Sequence, residues 1–294
     1  MKLLIIGSKG QLGSELVIEC KRNDFCCLAV DLPEFDITDP SCVEKILTDF
    51  KPSIVINASA YTNVDQAESE TEKAFSVNSI GPANLAVCCK KNRTPIIHVS
   101  TDYVFDGSKG QPYIESDPVS PLGVYGKSKS AGESKLRSIL QHHIILRTSW
   151  LYGTYGNNFV KTMLRLGNKK EVISVVSDQY GCPTCAADLA EAAVDISKQI
   201  ILNAKVAWGT YHYCGLGITT WYKFAKTIFE IASQYQNNKV PSIEAVTTAQ
   251  YPARTKRPAF SALDCALIKK YFGISTKPWR ESLKKTMEHI LMDS

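Results

Sequence analysis

Short apolar runs recur through the first half of the chain, each separated from the next by a segment of helical spacing. The runs are KLLIIG (2–7), FCCLAVD (25–31), SIVINAS (53–59), PIIHVST (95–101) and HIILRTS (143–149). Between them, Leu12, Leu16 and Val17 mark a helix over 11–22, the Asp39-Pro40 boundary opens one over 40–50, and a long helical stretch covers 69–92. A strand that is apolar at every position has no solvated face, so these runs predict a parallel sheet covered by helices on both sides. The fold class is therefore α/β: a doubly wound parallel sheet, Rossmann-like, with right-handed crossovers.

After Trp150 the rhythm loosens. Helices are predicted near 186–200, 219–235, 265–272 and 279–292, with a strand near 210–214. Residues 1–150 read as a dinucleotide-binding domain. Residues 151–294 read as a smaller, mainly substrate-binding part, interleaved with the first and sharing one cleft with it.

Composition narrows the class. The 294 residues are 44% hydrophobic and 21% charged, as in an ordinary globular protein. The net charge of +5 is dispersed, with no basic stripe for nucleic acid. No apolar run approaches the roughly 20 residues of a membrane helix, and the start lacks a signal-peptide pattern, so a cytoplasmic location is expected. Ten cysteines in a chain of this size read as reduced thiols rather than a disulfide framework. Cys182 and Cys185 form C-P-T-C, a candidate redox or metal pair. No second CxxC completes four zinc ligands, and no metal-ligand set is assigned.

Gly7, Gly10 and Gly13 stand in GSKGQLG, directly after the first strand and before a helix. Glycines there permit a tight turn, backbone approach to a pyrophosphate, and close helix–strand packing. The helix N-terminus adds free amides and partial positive charge, so the segment reads as a phosphate cradle. Asp31 closes the second strand, placed to accept hydrogen bonds from ribose hydroxyls. Its charge favours NADH, whereas Lys9 in the loop offsets repulsion of a 2′-phosphate, so NADPH stays open. Asp36, in FDIT, either flanks the adenine or is simply exposed.

Tyr125 and Lys129 occur in YGKSK, one helical turn apart and about 6 Å along the axis. A phenol titrates near ~10. An ammonium about 4 Å away favours phenolate by ~4 kcal/mol at an effective dielectric of ~20, which makes the phenol a proton donor near neutrality. Lys129 could also bond the nicotinamide ribose. The strand 95–101 ends in Ser100 and Thr101, where a hydroxyl can hold a substrate carbonyl, since ligands sit beyond the carboxyl ends of parallel strands. Arg254, Lys256 and Arg257 form a basic group that either meets a nucleotide diphosphate or is solvated.

Several longer motifs resemble the extended short-chain dehydrogenase/reductase family, in its branch acting on dTDP-linked 4-keto-6-deoxy sugars. They are INASAYTNVDQAE (56–68), VNSIGPANLA (77–86), STDYVFDG (100–107), YGKSKSAGE (125–133), LRTSWLYG (146–153), NNFVKTM (157–163), SDQYGCPT (177–184) and RPAFSALD (257–264). The resemblance implies reduction of the C4 keto group of dTDP-4-dehydro-6-deoxy-L-mannose to dTDP-L-rhamnose by NADPH or NADH. It implies Thr101, Tyr125 and Lys129 as catalytic residues. It puts Gln11, Leu12, Asp31, Asp36, Ile37, Ala60, Tyr61, Thr62 and Val99 around the dinucleotide, with the glycine loop, Tyr125 and Lys129. Asp102, Trp150, Asn158, Arg257 and Thr101 are implied on the substrate. Glu15 matches a position tied to Mg2+ at a homodimer interface in some members; an exposed helix residue is the plainer reading. Two alternatives are an epimerase or dehydratase that retains its cofactor, and a non-catalytic regulatory subunit of the methionine adenosyltransferase beta type.

Overall fold

The computed structural model of the chain describes residues 1–202, 205–235, 240–251 and 255–292. Its centre is a parallel sheet of six strands. The first five are β1 (Lys2–Ile6), β2 (Cys26–Val30), β3 (Ile54–Asn57), β4 (Ile96–Thr101) and β5 (His143–Thr148). Their order is β2-β1-β3-β4-β5, and the strand Gly209–His212 adds itself beyond β5. The second half of the chain thus completes the sheet begun by the first.

The unbroken apolar runs have the expected cause. Leu3 and Ile5 of β1 enter one core with Leu12 and Leu16 of α1 (Gln11–Arg22) and Leu189 and Ala193 of the helix Ala186–Leu202. Leu4 and Ile6 enter the opposite core with Val43 and Leu47 of α2 (Pro40–Phe50) and Leu85 of the helix Gly81–Asn92. These four of the five β1 side chains are at most 1% exposed. Each contributes roughly 1.5–3 kcal/mol by leaving water. The start of α2 follows its sequence signal: Asp39 accepts from the Ser41 amide at 2.8 Å, with Pro40 in the first turn.

One predicted helix is broken. The stretch 69–92 begins as Thr71–Phe75, widens to a π turn over Ser76–Ile80, and resumes as Gly81–Asn92. Pro82 explains this: its ring excludes the carbonyl four residues earlier, that of Asn78, so the turn opens by one residue. The displaced Asn78 carbonyl then packs on Gly132, where a Cβ would lie 2.0 Å from it. The helix Val124–Ile139, which carries Gly132, is thereby held close.

Two features of the second half go beyond the sequence reading. Helix Phe159–Gly167 and a parallel pair of strands, Val172–Val176 with Ser242–Val246, build a separate core with Phe224, Ile228, Leu283 and Met287. Among the described residues, no helix is long and apolar enough to cross a membrane. Strand connections run outward in opposite directions from β1 and β3, so the crevice beyond their carboxyl ends is where such a fold takes a ligand.

Candidate active site

A cleft of about 680 Å³ opens at that point, running from Asp31 past the glycine loop to Tyr125 and Trp150. At its floor, Gly7 has φ +83°, and a Cβ there would sit 2.6 Å from the Ser59 nitrogen. Gly7, Gly10, Gln11 and Leu12 line the cleft. Gly13 does not. It lies in α1 against the Gly7 carbonyl, 2.0 Å from where its Cβ would be, and so sets helix–strand packing. Gly10 caps α1 without a side chain, and the first turn carries no acidic residue. The opening amides and the dipole therefore face the cleft, which suits a pyrophosphate. The Gln11 Oε1 is buried with no hydrogen-bond partner among the described residues.

Asp31 accepts from the Lys9 amide and the Leu32 amide, each at 2.8 Å. Both oxygens keep a lone pair for a ribose hydroxyl. The Lys9 ammonium, expected to soften the repulsion of a 2′-phosphate, instead bonds the Leu32 carbonyl at 2.8 Å and Glu34 at 3.1 Å. Asp36 is exposed and lines the cleft, its Oδ1 closing a turn on Thr38 at 2.8 Å. Ile37, Ala60, Thr62 and Val99 line it too.

Tyr61, expected on the dinucleotide, does not line the cleft; its groups are taken up by Asn78 and Glu70. Its N–H donates to Asn78 Oδ1 at 2.8 Å, its carbonyl accepts from Asn78 Nδ2 at 3.0 Å, and its hydroxyl turns to Glu70. Asn78 also donates to Ser128 Oγ at 3.0 Å. One buried amide thus ties the cofactor-side loop to the helix Val124–Ile139. The signal for it was the Gly81-Pro82 pair, which demands an irregular turn.

The same helix starts at Gly123, which has no capping side chain, and Glu68 Oε1 accepts from the Val124 amide at 2.8 Å instead. A carboxylate there complements the helix dipole and fixes the turn bearing Tyr125. Thr101, Asp102, Tyr125, Lys129 and Trp150 all line the cleft. Thr101 Oγ1 donates to Asp102 Oδ1 at 3.1 Å, accepts from the Tyr103 amide at 3.1 Å, and hydrogen-bonds the Tyr125 hydroxyl. Burial pushes Asp102 up to about 7, with the Ser261 and Thr101 hydroxyls pulling the other way. Its Oδ2 has no hydrogen-bond partner among the described residues.

The electrostatics correct one expectation. Tyr125 is not acidified by Lys129. Burial pushes its phenol up to about 12, the Thr101 hydrogen bond opposes this, and Asp102 adds to it. The Lys129 ammonium points away to the Val99 carbonyl at 2.7 Å. Burial draws Lys129 down to about 8, while Glu133, one turn further on, pushes it up. Glu133 is itself fully buried and held by Arg147 at 2.9 and 2.7 Å and by Ser100 at 2.5 Å. Shared helix face had implied Tyr–Lys proximity, but desolvation outweighs it and hydrogen bonding directs the ammonium elsewhere.

Trp150 adopts φ +48°, a strained value for an aromatic residue, and stacks on Trp221 with centroids 3.6 Å apart. Nothing in the spacing announced Trp221. Asn158 lies outside the cleft, because it caps the helix Phe159–Gly167, accepting from the Lys161 amide at 3.0 Å and donating to the Gly153 carbonyl at 2.8 Å. Its neighbour Asn157 lines the cleft. Arg257 pairs with Asp65 at 3.2 Å and does not line the cleft either; Arg254 lies outside the described residues. Glu15 is half-buried, and burial raises its carboxyl. Among the described residues, no group of three or more potential metal ligands comes together.

Comparison with known proteins agrees with this geometry. The family described as RmlD substrate binding domain matches residues 1–292. A dTDP-4-dehydrorhamnose reductase of Aggregatibacter actinomycetemcomitans is 47% identical over 96% of this chain and 97% of its own. The crystal structure of a dTDP-4-dehydrorhamnose reductase from Clostridium acetobutylicum superposes with a TM-score of 0.92 at 37% identity, covering 100% of both chains. That of the Bacillus anthracis reductase, in complex with NADP, gives 0.91 at 36% identity, covering 97% of this chain and 98% of its own. The matched family, the full-length relatives and the shared fold together show that the chain belongs to the dTDP-4-dehydrorhamnose reductase family.

Proposed function

We propose that the chain reduces the C4 keto group of dTDP-4-dehydro-6-deoxy-L-mannose to give dTDP-L-rhamnose, using NADPH or NADH. The observation that carries this is the meeting of Thr101, Tyr125 and Lys129 in the cleft that also holds the uncapped first turn of α1. The uncapped amides, the Gly7 turn and Asp31 fit a dinucleotide, and the B. anthracis relative's NADP complex supports that reading. When bound, the reduced nicotinamide supplies a hydride to the sugar C4.

The chain's own residues handle the proton. With substrate bound, the Thr101 hydroxyl turns its one hydrogen from Asp102 to the substrate carbonyl and fixes its direction. The Tyr125 hydroxyl, already on Thr101, delivers its proton to the oxygen as negative charge builds there. A phenol at about 12 suffices, because an alkoxide is more basic than a phenolate, and burial keeps the phenol fully protonated at neutral pH. Lys129, held on the Val99 carbonyl, supplies a buried positive charge on the cofactor side of the cleft. Its bond to Val99, which lines the cofactor side, leaves further ammonium hydrogens for a ribose. Trp150, backed by the stacked Trp221 ring, presents a flat apolar face to the cleft for the sugar or base.

The test is purified chain with the keto sugar and each reduced cofactor, followed by loss of nicotinamide absorbance. Tyr125→Phe is expected to bind cofactor normally and lose ~10²–10⁴-fold in kcat. No cofactor consumption with either nicotinamide, or undiminished turnover by the variant, would refute the proposal.

A further inference from the structure

The C-P-T-C motif is not a thiol pair. Cys185 Sγ lies 3.4 Å from Thr286 Oγ1 in the C-terminal core, whereas Cys182 sits in a different cluster with Phe105 and Cys214. Cys214 meets two thiols, those of Cys182 and Cys265, and its sulfur is 3.6 Å from that of Cys265, in van der Waals contact. Cys214 follows the sixth strand of the sheet and is buried; Cys265 precedes the helix Ala266–Phe272 and is half-buried. Both line a second cavity of about 480 Å³, separate from the catalytic cleft, through which a small reagent reaches them.

Their surroundings differ in a way that assigns roles. The Cys214 amide donates to Cys265 Sγ at 3.3 Å, and Lys269 lines the same cavity. Cys265 is the more exposed of the two and is the thiol a reagent in the cavity meets first. Cys214, bonded to the Cys182 and Cys265 thiols and deeply buried, is held well above the ordinary thiol range and stays protonated.

We propose that Cys265 and Cys214 form an oxidisable dithiol site for small hydroperoxides. The Cys265 thiolate attacks the distal peroxide oxygen, the O–O bond breaks, and the proximal oxygen leaves as alkoxide or hydroxide and is protonated. The resulting sulfenic acid is displaced by the Cys214 sulfur, which loses its proton, and the hydroxyl departs as water. Two thiols and one hydroperoxide thus become one disulfide, one alcohol and one water, with two electrons passing from sulfur to the peroxide. The two sulfurs, 3.6 Å apart, must close to about 2.05 Å to form the bridge.

The experiment treats the full folded chain with equimolar hydrogen peroxide, alkylates remaining thiols, and maps peptides without reduction. The expected result is a Cys214–Cys265 cross-linked peptide, lighter by two hydrogens, in most molecules and reversed by dithiothreitol. Cys185→Ala is expected to keep the bridge, and Cys265→Ser to lose it. Both thiols still open to alkylation, a bridge from Cys182 or Cys20 instead, or over-oxidised Cys265 with Cys214 free would each overturn the proposal. The unmutated map decides the matter by itself should Cys265→Ser fold poorly.

Discussion

Replacing Glu133 with Gln tests the support beneath the catalytic lysine. Four donors converge on this carboxylate: Arg147 Nε at 2.9 Å and Ser100 Oγ at 2.5 Å on one oxygen, Arg147 at 2.7 Å and Arg137 at 3.1 Å on the other. Only an acceptor on both sides satisfies them. A glutamine offers one oxygen and one NH2, so either orientation sets a donor against an Arg147 N–H. The Arg147 and Glu133 side chains are 3% and 0% exposed, so solvent does little to screen the loss. Leaving one partner of a buried pair uncompensated costs about 3–5 kcal/mol. For a chain of 294 residues the unfolding entropy is about 0.6 kcal/mol/K, so Tm should fall by about 5–8 °C. Differential scanning calorimetry on both proteins reads this directly. Asp49→Asn, which breaks the exposed pair with Lys45, is the control and should change stability by under ~0.5 kcal/mol. A Glu133→Gln shift no larger than the control's would refute the argument that burial gives this pair its weight.

The remaining expectations concern activity. Lys129 is drawn down to about 8 and is charged only below that value, so kcat/KM for reduction should fall as pH rises through about 8, by about tenfold per unit beyond. Loss of the Glu133 charge removes what pushes Lys129 up, so in Glu133→Gln the same pH profile should break at a lower pH. Asp31→Ala removes a carboxylate beside the ribose and should raise the NADPH-to-NADH ratio of kcat/KM by about tenfold; an unchanged ratio would mean that Asp31 does not face the 2′ position.

Legibility varied by element for physical reasons. β1 and β3 were plain because both faces of each are buried, and an apolar run of that length between glycine and asparagine turns admits one reading. The helix over 69–92 looked continuous because periodicity does not register what Pro82 does to the carbonyl before it. Helix Phe159–Gly167 is short, and its cap Asn158 reads in sequence equally well as a polar ligand contact.

The chain's local pattern by itself determined the sheet, the glycine turn after β1 and the presence of Thr101, Tyr125 and Lys129 near one crevice. These follow from hydrophobic period, glycine stereochemistry and strand-end placement, all of which act over a few residues. Tertiary structure alone decided the charge states and partners: Lys129 on Val99, Tyr125 on Thr101, Glu133 under Arg147, Trp150 on Trp221 and Cys214 on Cys265. Desolvation depends on what packs around a group from every direction, and those neighbours come from segments far apart in the chain.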